Sequence, residues 1–320
     1  KGTASRSPVK PALRVDFNRY ATGRTFLGLT AISLNNLWQD ASGLRELLAM
    51  KTYRTLGLPA SRVAPVALYV NNTYAGFYLA VEDIEEPFLA RAFGESSGYL
   101  FEYKWITNYY FDYLGADLEP YAAMYEPKTR EAESKGSLYL PVETMIRTVN
   151  EASDEAFAPA VSPSLDLDAF MRLTAAQAAV AEPDGVLGGW GMNNHFLYRP
   201  GGLGPHRFIP WDASIALCAP DYPLHAWHAE NVLMRRAMAV PALRQRYQAT
   251  LLEAADLFDR VDVELPAGAS GQGWLEREAS RLLDLIRPAV YADPGKPFTN
   301  AEFDAGAAEV LAFARARGGF

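Results

Sequence analysis

Residues 194–211 restrict the fold more than any other stretch. NHFLYR at 194–199 and HRFIPW at 206–211 are short runs of aromatic and branched residues on either side of PGGLG. Two such runs around a Gly/Pro cluster read as a β-hairpin. Helical periodicity precedes it at 167–181 and follows it at 228–258, so a single hairpin is set into a helical stretch. A hairpin brings its outer ends side by side, which lets Asn193 or Asn194 at its start approach Asp212 at its end. Asp212 closes the apolar run FIPW. Two readings of it stand: a turn residue, or a metal ligand at the mouth of a strand.

The rest of the chain gives the hairpin its setting. Residues 11–17 alternate like a strand. Residues 63–70 and 74–81 read as two strands joined at Asn71-Asn72-Thr73, since Asn tolerates positive φ. A helix is expected over 43–56, ending at Gly57 with Pro59 beyond. Further helices are expected at 141–151, 272–291 and 300–317, and Pro241 is expected to break the one at 228–258. The class is α+β, with a small α/β part at residues 1–85 and a larger, mainly helical part at residues 86–320. Residues 105–127 are rich in Tyr and resist assignment. Packing is favoured there over a substrate platform, because aromatic side chains are mainly buried area.

Composition narrows the function classes. A chain of 320 residues, 49% of them hydrophobic, can bury a large core. The net charge of −8 argues against non-specific nucleic-acid binding and against a polybasic membrane patch. The one cysteine, Cys218, rules out an internal disulfide and a thiolate metal cluster. No run approaches the ~20 apolar residues of a membrane span. The first residues lack the apolar centre of a signal peptide.

The helix before the hairpin ends at Pro183, and Asp184 follows it in Pro-Asp-Gly. That tripeptide is a strong turn signal. It also supplies an acid that can converge with Asn194 and Asp212. Oxygen-only ligands of this kind suit Mg²⁺ or Mn²⁺, with phosphate oxygens completing the shell. Protein kinases share the order of helix, catalytic-loop Asp and Asn, hairpin, and metal-binding Asp. Their GxGxxG, His-Arg-Asp and Asp-Phe-Gly signatures are missing here. His195 reads as a packed core histidine, and His225 and His228 lack a third ligand.

A series of short motifs runs through the chain in order. They are Gly2, Ser5, Arg6 and Lys10 in KGTASRSPVK, Leu34-Asn35-Asn36, Arg45-Glu46, and Asn72 through Gly76 and Tyr78 to Glu82. Asn194-His-Phe-Leu-Tyr198 and Ile209-Pro-Trp-Asp212 follow. In this the chain resembles the CotH family of atypical protein kinases, known from spore coats, from residue 1 to about 217. The resemblance implies an atypical kinase-like two-lobe fold, with an N-lobe at 1–85 and a C-lobe at 86–320. It implies that the loop carrying Gly2, Ser5 and Arg6 lies over the phosphates of ATP. It implies that Lys10 contacts those phosphates and pairs with Glu46. The lobe connection, with Glu82, would lie near adenine. Asp184 would orient or deprotonate the acceptor hydroxyl, and Asn194 and Asp212 would hold Mg²⁺ or Mn²⁺. The implied partner is a protein with a Ser or Thr acceptor, and the implied location is the cell envelope, a spore coat or outside the cell. Lys104 and Lys128 also match family positions, without a role that their chemistry dictates.

The departures shape the alternatives. Lys1 and Ala4 stand where the family pattern has Arg and Ser, and Trp211-Asp212-Ala213-Ser214 lacks the second acid of Trp-Asp-x-Asp. An ATP-dependent transfer of the γ-phosphoryl group to Ser or Thr leads. A pseudokinase or coat-type binding protein is the second reading, supported by Ser214. Another nucleotide-dependent transfer, such as adenylylation, is the third, since fold does not fix the reaction.

Overall fold

The structure, a computed structural model, describes residues 6–202, 204–261 and 273–320. Gly2 and Ser5 lie outside the described residues. The N-terminal third forms β1 (Leu13–Asp16), β2 (Ala31–Asn35), α1 (Arg45–Thr55), β3 (Val63–Val70), β4 (Thr73–Glu82) and α2 (Glu86–Phe93). There follow β5 (Tyr99–Tyr103), α3 (Glu119–Met124), β6 (Tyr125–Pro127), α4 (Lys135–Glu151), α5 (Phe157–Val161) and α6 (Leu167–Ala179). The hairpin is β7 (His195–Arg199) and β8 (Arg207–Pro210). Four helices follow: α7 (Val232–Ala239), α8 (Pro241–Asp259), α9 (Trp274–Tyr291) and α10 (Asn300–Ala316).

Two four-stranded antiparallel sheets result, in the orders β1-β2-β4-β3 and β6-β5-β7-β8. The β3–β4 hairpin pairs Val70 with Thr73, which leaves Asn71 and Asn72 as its two-residue turn. Both have positive φ, 50° and 63°, the geometry that matches the strands' twist. The second sheet builds the predicted hairpin into a larger surface, with β7 between β5 and β8.

Local chemistry sets the helix ends. Asn231 caps α7 by accepting Met234 N–H at 3.0 Å. Pro241 starts α8 at its first position, where the missing N–H costs nothing, so the expected break is real. The helix expected from 141 begins at Lys135, because Ser134 accepts Ser137 N–H at 3.1 Å and Pro141 sits inside the helix. Six other elements escaped the sequence reading: β2, α2, β5, α3, β6 and α5. Leu34 of β2 and Leu100 and Phe101 of β5 are buried in strands where successive residues are buried on both faces, so alternation is weak.

One continuous apolar core takes Leu48 from α1, Phe77 from β4, Phe170 from α6, Tyr247 from α8, Ile286 from α9 and Phe313 from α10. The α9 helix packs on β4 and α1, and Tyr74 donates to Ala289 O at 2.7 Å. The C-terminal helices thus return to the first sheet, which a division between residues 85 and 86 leaves out. The Tyr-rich stretch is packed: Tyr109, Phe111, Tyr121 and Tyr125 are buried. No helix among the described residues is long and apolar enough to cross a membrane.

Candidate active site

The α6 helix ends at Ala179, and Ala181, at φ 48°, turns the chain into the loop that carries Asp184. Side chains hold this loop closed. Glu182 accepts Asp184 N–H at 3.0 Å, and Gln177 accepts Val186 N–H at 3.1 Å. Gly185 lets the loop lie close to Gln177, whose amide would have to move for a Cβ that stood 2.5 Å from its Nε2. Asn193 donates to Asp184 Oδ1 at 3.0 Å, and Asn194 donates to Oδ2 at 2.9 Å. Both oxygens of the carboxylate are therefore fixed in direction by neutral donors.

The hairpin delivers Asp212 as its pairing requires. His195 faces Pro210, and Trp211 donates its N–H to Asn194 O at 2.9 Å. Asn194 and Asp212 then leave the ladder in the left-handed region, at φ 47° and 46°. Such backbone is uncommon outside Gly and is tolerated best by Asn and Asp. Strain of this kind persists where surrounding structure enforces it. Here Arg45 of α1 donates to Ala216 O at 2.8 Å and Leu217 O at 2.7 Å, tying α1 to the segment that follows Asp212. Ser214 donates to Asp212 Oδ1 at 2.7 Å, so the position expected to hold a second acid carries a neutral donor.

Electrostatics bind these groups together. Burial raises the Asp184 carboxyl above its ordinary range; the Asn193 and Asn194 donors oppose this and the charge of Asp212 adds to it. Burial drives Glu182 well above the usual range, and the charges of Asp184, Asp212 and Glu46 push it further. Glu182 Oε2 is buried without a hydrogen-bond partner. Among the described residues no lysine or arginine forms an ion pair with Asp184 or Asp212. Concentrated, uncompensated oxygen donors fit a hard divalent cation. No group of three or more His, Cys, Asp or Glu side chains among the described residues could hold a metal ion. Asp184, Asn194 and Asp212 are the side chains at the hairpin end whose oxygens could contribute to such a shell.

The other expected site residues fall in different places. Arg6 is exposed. Lys10 is buried and pairs with Asp293 at 2.6 Å, so the expected pairing with Glu46 is not formed. Asp293 follows α9, accepts Phe77 N–H at 3.0 Å and Gly295 N–H at 2.9 Å, and so fixes Lys10 against β4. Gly76, at φ 128°, permits this approach, because a Cβ would stand 2.6 Å from Asp293 Oδ1. Nothing in the sequence links positions 10 and 293: Asp293-Pro294-Gly295 reads only as a turn. Glu46 is buried and accepts Asn35 Nδ2 at 2.6 Å. Asn36, the next residue, donates to Lys10 O at 2.8 Å. The carboxylate of Glu82 is held by Arg62 at 2.9 Å and Arg91 at 2.7 Å, and its side chain is 1% exposed. That leaves it committed away from any ligand.

A cleft of about 720 Å³ lies beside Trp211. Arg14 and Ser33 of the first sheet, the linker residues Asp83 and Ile84, and Phe196 and Trp211 of the hairpin line it. Lys104 and Lys128 stand on its wall, each paired with Glu102 and Glu126 at 2.9–3.2 Å. The volume of the cleft is in the range usual for a small-molecule site, but its walls are mostly charged and polar, with Glu85, Glu86 and Glu131 also in the lining and Ile84, Pro87, Phe196 and Trp211 as the apolar part. His195 is a core residue as expected, stacked on Tyr103 at 4.5 Å and held neutral by burial, with a pKa of about 4.

A family model described as CotH kinase protein matches residues 1–267. Inner spore coat protein H of Bacillus subtilis (strain 168) is 24% identical over 294 residues, covering 88% of this chain and 74% of that protein. Among solved structures, the Shewanella oneidensis MR-1 toxin–antitoxin system HipA, HipB and operator DNA complex aligns at 12% identity and a TM-score of 0.41. That alignment covers 98% of this chain, which spans 65% of the length of its match. The Helicobacter pylori proinflammatory kinase CtkA aligns at 12% identity and a TM-score of 0.29, over 96% of this chain and 99% of that one.

Proposed function

The chain belongs to the CotH kinase protein family, and from that premise we propose that it transfers the γ-phosphoryl group of ATP to a Ser or Thr hydroxyl of a protein. The observation that carries this reading is the convergence of Asp184, Asn194 and Asp212 at the open end of one hairpin. In this reading the two sheets belong to two lobes, and the cleft between them takes the nucleotide. The base lies by Ile84, Phe196 and Trp211, which directs the phosphates toward Asp212.

Asp184 receives the acceptor hydroxyl. The Asn193 and Asn194 donors hold its carboxylate in one orientation, and its raised pKa makes it the better base. The hydroxyl oxygen forms a bond to the γ-phosphorus, its proton passes to Asp184, and the bond to the β-phosphate oxygen breaks to release ADP. Asn194 and Asp212 would hold Mg²⁺ or Mn²⁺, which would neutralise charge on the phosphate oxygens. Lys10, buried beside the first sheet, supplies a cation, and Asp293 takes the positioning role expected of Glu46. A spore coat is the location suggested by the similarity to Inner spore coat protein H.

Ser214 favours one second reading, a nucleotide-binding protein that does not transfer. Incubation with γ-labelled ATP, Mn²⁺ or Mg²⁺ and a Ser/Thr-rich acceptor protein separates the two. Label on the acceptor, reduced about 10²–10⁴-fold in Asp184→Asn, is expected for loss of a general base. Nucleotide binding without transfer moves the second reading to first place. Transfer from α-labelled ATP overturns the phosphoryl assignment.

A further inference from the structure

A second cavity, of about 500 Å³, lies where the end of α1, α2, the first turns of α6 and β8 meet. Arg54, Arg91, Arg172 and Arg207 line it, over a floor that includes Phe93 and Phe208. Four guanidinium groups around one cavity are unexpected in a chain of net charge −8.

The carboxylates near these arginines are already engaged. Glu82 is shared by Arg62 and Arg91. Asp166 caps α6 through Ala169 N–H at 3.0 Å and pairs with Arg207 at 2.9 Å. Asp168 pairs with Arg246 at 2.5 Å. Arg54 and Arg172 have no carboxylate partner among the described residues. Each is fixed by a main-chain carbonyl instead: Arg54 donates to Ser61 O, and Arg172 donates to Leu56 O at 2.5 Å. A guanidinium has five N–H donors, so each keeps further donors. Arg207 Nε is buried with no hydrogen-bond partner. Burial lowers the pKa of Arg54, and the neighbouring charges of Arg91 and Arg62 lower it further, against the pull of Glu82. Arg91 and Arg207 are thus matched by Glu82 and Asp166, while Arg54 and Arg172 are held beside them without a carboxylate of their own, at an open cavity that Asp166 and Asp168 also line.

We propose that this cavity is a binding site for a phosphate dianion, either that of a phosphorylated Ser or Thr side chain or free phosphate. Guanidinium forks bind phosphate oxygens in pairs, and a dianion with three terminal oxygens matches several converging forks better than a planar carboxylate. The cavity is lined by β8 residues but not by Asp184, Asn194 or Asp212, and the proposal does not rest on the phosphotransfer reading.

The test is calorimetric titration of the full chain, at fixed ionic strength, with inorganic phosphate, O-phosphoserine, a phosphoserine peptide and its glutamate counterpart. Saturable binding of the phosphate probes is expected. It should weaken about tenfold or more in Arg54→Gln and in Arg172→Gln, the size expected for losing a charge-assisted hydrogen bond. Binding should persist in Asp212→Ala. Tighter binding of the peptide than of phosphate assigns the site to a phosphorylated chain, and equal binding assigns it to the free ion; both support the shared chemistry. Where Arg172→Gln fails to fold, Arg172→Lys keeps the charge and loses the fork, and a severalfold loss is expected. No saturable binding, indifference to every arginine change, loss in Asp212→Ala, or equal binding of the glutamate peptide overturns the proposal.

Discussion

Asp293→Asn tests the buried ion pair between Lys10 and Asp293. Lys10 and Asp293 are both about 1% exposed and 2.6 Å apart. The asparagine keeps an oxygen that can accept an N–H from Phe77 or Gly295 while it removes the charge. Lys10 is then left buried without a counter-charge. Breaking one side of a buried pair costs about 3–5 kcal/mol. For 320 residues unfolding as one unit, the unfolding entropy is about 0.7 kcal/mol/K, so the midpoint should fall by about 4–7 °C. The pH dependence has a definite sign. Burial lowers the Lys10 pKa, and loss of Asp293 lowers it further. Between that value and the unfolded value of about 10.4, the unfolded chain holds more protons, so stability rises with pH. The deficit of the variant should therefore be largest near neutrality and shrink toward pH 10. Urea unfolding of the wild type, Lys10→Met, Asp293→Asn and the double variant from pH 7 to 10 measures this. A coupling energy of about 2 kcal/mol or more is expected. Additive single effects, or a loss below about 1 kcal/mol in Asp293→Asn, would refute the pairing.

Two further substitutions probe the acids around the hairpin. Glu182→Gln keeps an acceptor for Asp184 N–H and removes a buried acid whose folded pKa is raised. Such a group loses stability as pH rises from its unfolded value through its folded value, so the variant should be more stable than wild type at pH 7 and equal or weaker at pH 4; chemical unfolding across that range decides it. Ser214→Asp returns a carboxylate beside Asp212. It should lower the midpoint in EDTA through like-charge repulsion and raise the Mg²⁺- or Mn²⁺-dependent stabilisation by nucleotide, and an unchanged metal response would remove position 214 from the site.

Much of this arrangement was legible in the sequence because it is local. The Asn-Asn turn, the hairpin around PGGLG and the break at Pro241 each follow from residue chemistry within a few positions. The approach of Asn194 to Asp212 followed from hairpin geometry alone. The pairing of Lys10 with Asp293 was not legible, because it depends on α9 returning to β4 across most of the chain. The same holds for the arginine cavity, whose four side chains come from α1, α2, α6 and β8. Strands β2 and β5 were hidden by burial on both faces, which removes alternation. Glu82 was placed near a nucleotide by its motif position, while its carboxylate is taken by Arg62 and Arg91.

The most direct test of the central claim is the thermal unfolding of wild type and Asp212→Ala, each with and without ATP, in EDTA, Mg²⁺ or Mn²⁺. A ligand that binds only the native state at 100 times its Kd adds about 2.7 kcal/mol, which for a chain of this length is about 4 °C. The expected result is a rise of that order in wild type that needs both nucleotide and metal, and none in Asp212→Ala at an otherwise native fold. No rise with either metal, or the same rise in the variant, would contradict a metal-dependent nucleotide site at the end of the hairpin.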